Sequence, residues 1–280
     1  MAGTLFIVAT PIGNLEDITL RALKVLGQVD VIACEDTRHT RKLLAHYQIS
    51  KPLISYHEHN ESERAEQLLK RLLAGESVAL VSDAGTPSIS DPGYRLIREA
   101  ARRQIKVSPI PGPSAAIAAL AGAGLPTDSF TFAGFLPSRR GARRARLSML
   151  KRLDTTLVFY EAPHRIRTVL AELKEELGDR DCVVARELTK IHEEFIRGRL
   201  SEIQGLVQPR GEFVIILSPG ALDLAEPRHE AQSSSILEAV ETQTKAGMTR
   251  KEALKHVARA RGLSKSEAYR LLIKEEAELE

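Results

Sequence analysis

Residues 5–14 read LFIVATPIGN, a short run of apolar and β-branched residues that passes into a turn-rich segment. An amphipathic pattern from Thr19 to Leu26 follows, and a second apolar run occupies residues 29–33. Short apolar strands that alternate with helices are typical of a parallel sheet covered by helices. These opening residues therefore predict an α/β fold.

The same alternation continues through the first hundred residues. Three more strands are predicted at residues 52–55, 78–81 and 106–109. Asn60 followed by Glu63 has the spacing of a capping box, and Asp91 before Pro92 is typical of a helix start. Five strands with four helices between them then make one α/β unit.

A second series of strands and helices begins after a junction at residues 110–127 that is rich in proline and glycine. Its strands are predicted at residues 131–135, 156–160, 182–185, 194–199 and 212–217, and its helices at 140–153 and 164–177. The absence of a helical pattern between its third and fourth strands favours an antiparallel pair there. We therefore predict an N-terminal α/β domain at residues 1–112 and a second α/β domain with a mixed sheet at residues 113–222.

The last part of the chain has a different character. Residues 221–235 are polar and weakly periodic, as in a linker. Thr249 with Glu252 and Ser264 with Glu267 form two capping-box patterns, and Gly262 between them predicts a helix end. Residues 235–280 are therefore predicted to form a small helical domain. Between residues 249 and 274 it carries eight Lys or Arg against two Glu.

Composition narrows the class of protein. The 280 residues include 40 Lys plus Arg against 37 Asp plus Glu, and 43% are hydrophobic, which predicts a packed core and argues against a histone-like coating protein. No apolar run reaches the roughly 18 residues of a membrane span, and no export signal is recognisable. Cys34 and Cys182 lie in apolar runs, which favours buried thiols in a reducing compartment. We expect a cytoplasmic protein.

Four loops follow the strands of the first domain, and ligands of open parallel sheets bind at that edge. The loop at residues 82–87 holds Asp83, which could accept hydrogen bonds from ribose hydroxyls or from a cation, beside Gly85. A tight turn with a helix cap explains Gly85 and Pro87 equally well. Neither a GxGxxG nor a GxxxxGK[ST] motif occurs, so dinucleotide and nucleoside triphosphate sites lack their usual loops.

The loop at residues 35–38, Glu-Asp-Thr-Arg, places two carboxylates and a guanidinium at one strand end. Such a group suits a substrate clamp or acid/base chemistry, although Asp36 could equally cap the next helix. His57 and His59 are metal ligands by type, but no further ligands accompany them at zinc spacing, so no metal site is predicted. In the second domain, charged loops at residues 161–165 and 186–190 follow apolar strands and could form the other wall of a cleft.

Residues 139–152 contain seven Lys or Arg and no acid. This density favours contacts with a phosphate backbone, with a solvated helix face as the alternative. Aromatic residues make up only 4% of the chain and tryptophan is absent, which argues against a base-stacking platform for single strands. Folded RNA fits this composition better.

Several motifs together carry a family resemblance. They occupy residues 8–15, 35–38, 82–87, 111–114, 134–137, 159–165, 186–190 and 211–212. In this order they resemble the ribosomal RNA small-subunit methyltransferase I family, part of the tetrapyrrole-methylase class of S-adenosylmethionine enzymes. The resemblance covers about residues 3–218. It implies two α/β domains with S-adenosylmethionine between them, a homodimer, and methylation of a cytidine ribose 2′-hydroxyl in the decoding region of 16S rRNA in the small ribosomal subunit.

The resemblance and the strand-end positions together give candidate site residues. The resemblance alone implies cofactor contacts from Pro11, Asp83, Gly85, Thr86, Ser114, Ala115, Tyr160, Leu188, Gly211, Glu212 and Phe213. Glu35, Asp36, Arg38 and Lys190 are placed nearest the chemistry, where a lysine of lowered pKa, or alternatively Glu35, Asp36, His57 or Glu187, could accept the ribose proton. RNA contacts are expected from Arg139, Arg140, Arg143, Arg144, His57, His164 and Arg165.

Two alternatives remain open at this point. One is a methyltransferase of the same class that acts on a tetrapyrrole, against which the basic run at residues 139–152 argues, because a free macrocycle does not need it. The other is a non-catalytic RNA-binding assembly factor that retains the cofactor cleft. Transfer of labelled methyl groups distinguishes the second from an enzyme.

Overall fold

The computed structural model describes residues 2–220, 235–245, 247–260 and 263–277. It contains two compact units, Met1–Gly220 and Ala221–Glu280, here called the N-terminal and C-terminal units. Residues 221–234 of the predicted linker, and the predicted helix end at Gly262, lie outside the described residues.

The first half of the N-terminal unit is a parallel sheet of five strands in the order β3-β2-β4-β1-β5. The strands are β1 (Thr4–Val8), β2 (Val31–Cys34), β3 (Leu53–Ser55), β4 (Val78–Val81) and β5 (Lys106–Ile110). Four helices alternate with them: α1 (Leu20–Gln28), α2 (Thr37–His46), α3 (Glu61–Leu73) and α4 (Tyr94–Arg102). Every residue of β2 and β4 is buried, because apolar clusters cover both faces of the sheet. The predicted parallel α/β sheet is confirmed.

Because all five strands run in one direction, the loops that follow them meet at a single edge. The loops after β1 and β4 are joined there by backbone pairing. The amide of Thr10 donates to the carbonyl of Gly85 at 2.9 Å, and the amide of Gly85 donates to the carbonyl of Thr10 at 3.0 Å. This edge is where the site is built.

The second half of the N-terminal unit is a mixed sheet in the order β6-β7-β10-β8-β9. Its strands are β6 (Phe130–Phe135), β7 (Thr156–Glu161), β8 (Asp181–Arg186), β9 (Glu194–Arg199) and β10 (Phe213–Leu217). Its helices are α5 (Ala115–Ala123), α6 (Arg140–Leu150), α7 (Ile166–Leu177) and α8 (Leu200–Leu206). β6 and β7 are parallel and the other pairs are antiparallel, which confirms the predicted mixed sheet and the antiparallel pair β8–β9.

Two predicted helix-start features differ from the structure. α3 follows Asn60 as expected, but the Asn60 side chain accepts the amide of His57 at 2.9 Å and makes no cap bond to the helix. The prediction that α4 starts at Asp91 and Pro92 was wrong. α4 begins at Tyr94, after Gly93 with φ of 146°. The Asp91 carboxylate is therefore not used as a helix cap.

The C-terminal unit contains three helices in its described part: α9 (Ile236–Lys245), α10 (Arg250–Ala260) and α11 (Lys265–Ala277). Both predicted capping boxes are confirmed. The amide of Thr249 donates to Glu252 at 3.1 Å, and the amide of Ser264 donates to Glu267 at 2.8 Å. α9, which the sequence analysis did not identify, packs against the other two helices in a small apolar cluster.

Both cysteines are buried, as predicted, and neither forms a disulfide. Burial raises the pKa of Cys182 to about 12. Within the described ranges no helix combines the length and the apolar character that crossing a bilayer requires.

Candidate functional site

A cavity of about 370 Å³ lies where the loop edge of the parallel sheet faces the mixed sheet, and we call it the first cavity. The loop between β4 and α4, the start of α5, the end of β7 and the start of β10 all contribute to it. Its lining residues are Ile12, Asp83, Ala84, Gly85, Thr86, Ile89, Ser90, Asp91, Ser114, Ala115, Phe135, Tyr160, Glu161, Ala162, Pro163, Leu188, Glu212, Phe213 and Val214.

The charged side chains that line the first cavity are all acidic. Four carboxylates line it, from Asp83, Asp91, Glu161 and Glu212, and no Lys, Arg or His is among its lining residues. Glu161 and Glu212 each have a basic group nearby outside the lining, Arg165 Nε at 3.4 Å and Lys190 Nζ at 2.9 Å, whereas Asp83 and Asp91 form no ion pair among the described residues. Carboxylates on low-dielectric walls concentrate negative potential inside a cleft. The first cavity is therefore suited to a cationic ligand and not to a phosphate-rich one.

Glu161, the last residue of β7, is almost fully buried. Its Oε1 accepts the amide of Ala162 at 2.8 Å and lies 3.4 Å from Arg165 Nε, whereas Oε2 is buried and finds no hydrogen-bond partner among the described residues. Burial raises the pKa of Glu161, although the amide and Arg165 act in the other direction. A buried acceptor left unpaired costs about 1–3 kcal/mol, so a ligand that donates a hydrogen bond here recovers that cost.

The loop that carries Asp91 is strained. Ser88 and Ser90 adopt φ values of 66° and 64°, a left-handed conformation that is uncommon for residues other than glycine. Burial, together with the negative charge of Glu35 and Asp83, raises the pKa of Asp91 to about 6. Strain of this kind concentrates at binding and catalytic loops.

The predicted catalytic residues of the first domain are not among the residues that line the first cavity. Asp36 caps α2, since its Oδ1 accepts the amide of Arg38 at 2.8 Å, and its own amide donates to Asp83 Oδ1 at 3.2 Å. The Arg38 side chain, which is 83% exposed, also holds the pKa of Asp36 well below its usual range. Burial and the charge of Asp83 raise the pKa of Glu35. Of the two interpretations left open for Asp36, the structure shows the helix cap.

Lys190 is held by two carboxylates. Its Nζ lies 3.0 Å from Glu187 Oε1 and 2.9 Å from Glu212 Oε2. Burial alone would lower the pKa of Lys190, but these two hydrogen bonds outweigh it and the pKa is raised. The expected lysine of lowered pKa is therefore not found at this position, since a proton acceptor requires the opposite shift.

Most of the predicted cofactor residues come together. Those that line the first cavity are Asp83, Gly85, Thr86, Ser114, Ala115, Tyr160, Leu188, Glu212 and Phe213. Pro11 and Gly211 do not line it but precede Ile12 and Glu212, which do. The lining residues that were not named as cofactor contacts are Ile12, Ala84, Ile89, Ser90, Asp91, Phe135, Glu161, Ala162, Pro163 and Val214. Of these, Ala84 lies in the predicted loop at residues 82–87, and residues 161–163 lie in the loop that was expected to form the other wall of a cleft. Asp91 could have been found as an acidic residue just beyond the first of these loops.

The predicted RNA residues divide into two groups. Arg143 is buried and bonded to Glu172 of α7, Arg144 contacts Glu175 and Glu176, and Arg165 donates to the Leu136 carbonyl at 2.8 Å. Arg139, Arg140 and His164 are exposed. His57 is partly buried, with its Nε2 3.1 Å from Asn60 Nδ2. Among the residues that the structure describes, no group of three or more His, Cys, Asp or Glu is placed to hold a metal ion.

Comparison with known families identifies the chain as a methylase. The family model of Tetrapyrrole (Corrin/Porphyrin) Methylases matches residues 4–204. A crystal structure of uroporphyrin-III C-methyl transferase from Thermus thermophilus, complexed with S-adenosylhomocysteine, has the same fold with a TM-score of 0.56. It is 22% identical in sequence, and the alignment covers 77% of this chain and 97% of that one.

Curated relatives have a higher sequence identity to this chain than that crystal structure does. "Ribosomal RNA small subunit methyltransferase I" of Halalkalibacterium halodurans is 46% identical, over 96% of this chain and 94% of the relative. The protein of that name in Synechocystis is 45% identical, over 99% of each chain. The chain belongs to the ribosomal RNA small subunit methyltransferase I family, and it is a methyltransferase. The family resemblance and the fold that it implied are confirmed.

Proposed function

We propose that this methyltransferase uses S-adenosylmethionine to methylate the ribose 2′-hydroxyl of a cytidine in the decoding region of 16S rRNA. The observation that carries the proposal is the first cavity, which has four carboxylates and no basic residue among its lining, in a chain whose relatives are named for the small-subunit rRNA. A cationic methyl donor matches that charge.

The residues of the first cavity fit this cofactor. S-adenosylmethionine carries a sulfonium and an ammonium group, and the unpartnered Oε2 of Glu161 suits a donating cation. Asp83 suits ribose hydroxyls, and the apolar surfaces of Ile12, Phe135 and Tyr160 suit a flat purine. When bound, the cofactor supplies an electrophilic methyl group. The remaining tasks of the chain are to align the ribose oxygen and to remove its proton.

Glu35, Asp36, Arg38 and Lys190 enter the proposal as positioning residues. Asp36 holds Asp83 through its amide, and Arg38 holds Asp36. Lys190 ties Glu212, on the wall of the first cavity, to Glu187, whose Oε1 also accepts the amide of Glu212 at 3.0 Å. Such supporting bonds fix the geometry of a site without touching its ligand.

RNA is proposed to contact the exposed residues Arg139, Arg140 and His164. Arg143, Arg144 and Arg165 support that surface through their bonds to α7 and to the Leu136 carbonyl. The basic excess of residues 249–274 favours RNA docking by the C-terminal helices as well.

A cytoplasmic homodimer is the proposed state of the protein. Ile191 and Ile117, which are 97% and 53% exposed, are candidates for a contact between two copies. Light scattering at micromolar concentration tests this, because a dimer has twice the mass of the 30.9 kDa chain.

The experiment that tests the function is transfer of labelled methyl groups from S-adenosylmethionine to unmodified small ribosomal subunits, followed by nuclease mapping of the label. Label on the ribose of a cytidine in the decoding region is the expected result. Absence of label, with cofactor binding intact by calorimetry, would contradict the proposal. Labelling of a tetrapyrrole instead would favour a small-molecule enzyme, and no labelling of either would favour a non-catalytic assembly factor.

A further inference from the structure

A second cavity, of about 490 Å³, adjoins the first. Glu58 and Glu61 line one side, and residues 92–95 and Arg98 of the α4 region line another. Ser90 and Asp91 line both cavities, so the two spaces share a border at these residues. The proposed function assigns no ligand to this second cavity.

The lining of the second cavity matches the chemistry of a cytosine nucleoside. Tyr94 is 68% exposed, and Arg98 covers one face of its ring, with the guanidinium carbon 5.6 Å from the ring centre, so that the opposite face is the one on which a base can stack. Carboxylates accept hydrogen bonds from the exocyclic amine of cytosine, and guanidinium groups donate to its ring acceptors. Glu58, Glu61, Arg95 and Arg98 provide both kinds of group.

Asp91 lies at the border between the two cavities. On the side of the sheet its neighbours are Glu35, Asp83 and the Ser82 hydroxyl, and Tyr160 faces it from β7. On the side of the second cavity the charged residues are Glu58, Glu61, Arg95 and Arg98. Its carboxylate is not used to cap α4. It is therefore available to a ligand that spans the border.

On the basis of the proposed function, we propose that the second cavity binds the target cytidine. In this arrangement the base lies against Tyr94 and the ribose lies at the border, where the Asp91 carboxylate accepts the proton of the 2′-hydroxyl. The new oxygen–carbon bond forms as the carbon–sulfur bond of the sulfonium breaks, and the sulfur keeps the electron pair as a neutral thioether. The hydroxyl proton passes to Asp91 and then to water, so charge and atoms balance.

A pKa of about 6 supports this role, because the carboxylate is ionised at neutral pH yet more basic than an ordinary aspartate. The raised value has a geometric origin in burial and in the neighbouring Glu35 and Asp83.

The binding part is tested without turnover by saturation-transfer NMR, with cytidine 5′-monophosphate and uridine 5′-monophosphate as probes. The wild type is expected to give a signal several times stronger for the cytidine nucleotide, and Tyr94→Ala and Arg98→Ala are expected to abolish it. Arg102→Ala is the matched control. Arg102 lies one turn further along α4 and, like Arg98, donates to Glu99 Oε1 at 3.2 Å, but it is not among the lining residues. Equal signals for the two nucleotides, or equal decreases in Arg98→Ala and Arg102→Ala, would overturn the proposal.

The proton-transfer part is tested by single-turnover methyl transfer to small subunits between pH 5 and pH 8. Asp91→Asn is expected to lower the rate about 100-fold and to remove the rise with pH near 6. Urea denaturation at pH 7.5 is expected to show Asp91→Asn at least as stable as the wild type, which excludes misfolding. A wild-type rate in Asp91→Asn would overturn the assignment, as would an unchanged pH profile, and Asp91→Ser provides a second variant. If the wild type transfers no methyl group at all, the proposed function fails instead.

Discussion

Arg143 Nη2 donates to Glu172 Oε1 at 2.7 Å, and Arg143 Nε donates to Glu172 Oε2, so that α6 and α7 are joined by a paired hydrogen bond between opposite charges. The two side chains are only 7% and 8% exposed. Arg143 Nη1 also donates to the carbonyls of Pro137 and Ser138, which fixes the turn before α6. The arginine holds the pKa of Glu172 below its usual range. Arg143 is therefore a structural residue inside a basic surface.

Arg143→Ala is expected to lower the free energy of unfolding by about 3 kcal/mol, because it leaves the buried Glu172 carboxylate with only the more distant Arg140 Nε, at 3.8 Å, as an ion partner among the described residues. Urea denaturation at pH 7 measures this. Arg146→Ala, at an exposed position of the same helix, is the control and is expected to change stability by no more than about 0.5 kcal/mol. Similar decreases in both variants would show that the pair has no special role.

The exposed arginines at the start of α6, Arg139 just before it and Arg140 as its first residue, give a separate prediction about RNA. Arg139→Glu combined with Arg140→Glu is expected to weaken binding to small-subunit RNA and to reduce the slope of log affinity against log salt by about 1 for each phosphate that is no longer neutralised. Filter binding across a salt series measures both quantities. Arg102→Glu makes the same kind of charge change on α4 and is expected to leave the slope unchanged. An unaltered slope in the double variant would remove α6 from the RNA surface.

Sequence reasoning located one wall of the first cavity because its loops follow parallel strands, whose carboxyl ends must share one edge, and the family resemblance supplied the residues of the second domain. Asp83 and Gly85 could be placed there from position alone. It failed at Arg143, since the acid that pairs with it lies 29 residues further on, and no local count of charge contains that contact. It also missed α5, whose residues are apolar on every side and so lack the alternation that reveals a surface helix.

Asp91 shows a second reason why the site could not be predicted fully from the sequence. An aspartate before a proline is typical of a helix start, yet Gly93 delays α4 until Tyr94 and leaves the carboxylate at a cavity. The local pattern predicts a helix start at Asp91, but the backbone conformation of the loop at Gly93 moves the start of α4 to Tyr94. Binding and catalytic sites differ from what the local sequence predicts because the surrounding fold holds their loops in strained conformations.

Gly13 is where the loop after β1 meets the loop at residues 187–190. A methyl group at this position would lie 2.6 Å from Lys190 Cγ and 3.0 Å from the Leu188 carbonyl oxygen. Gly13→Ala is therefore expected to cost about 1–3 kcal/mol of stability and to weaken cofactor binding, since Leu188 lines the first cavity.

Thermal unfolding and calorimetry measure the two effects of Gly13→Ala. Gly27→Ala is the matched control: it lies in α1 with nothing within 4 Å of the added methyl group, and it is expected to stabilise the protein by about 0.5–1 kcal/mol. A neutral Gly13→Ala would mean that the two loops move apart freely.

The unpartnered oxygen of Glu161 predicts a selective decrease in cofactor affinity. Glu161→Gln is expected to weaken S-adenosylmethionine binding by about 10- to 100-fold, the range for removing a hydrogen bond to a charged group. Glu212→Gln changes a carboxylate on the same cavity that is 77% exposed, so solvent screening is expected to keep its effect smaller. Isothermal calorimetry at pH 7.5 compares them. Equal decreases would show that overall charge, rather than the buried oxygen, holds the ligand.

The raised pKa of Asp91 predicts that its ionised carboxylate lowers the stability of the folded chain. Its pKa is about 6 in the folded chain against 3.8 ordinarily, so the folded state binds more protons between these values and stability falls as pH rises through them. Above pH 6 the ionised carboxylate costs at most about 3 kcal/mol, and solvent screening of this partly exposed group lowers that figure. Asp91→Asn is therefore expected to raise the free energy of unfolding at pH 7.5, with a much smaller difference at pH 4, as measured by urea denaturation.

Asp128→Asn, at an exposed position, is expected to change stability little at either pH. No increase for Asp91→Asn at pH 7.5, or an equal increase at pH 4, would show that the charge of Asp91 is not the cause. Because Glu35 and Asp83 both contribute to this cost, neutralising either is also expected to reduce the stabilisation that Asp91→Asn brings. A carboxylate that destabilises the fold while bordering both cavities is what the proposed role of Asp91 in proton transfer predicts.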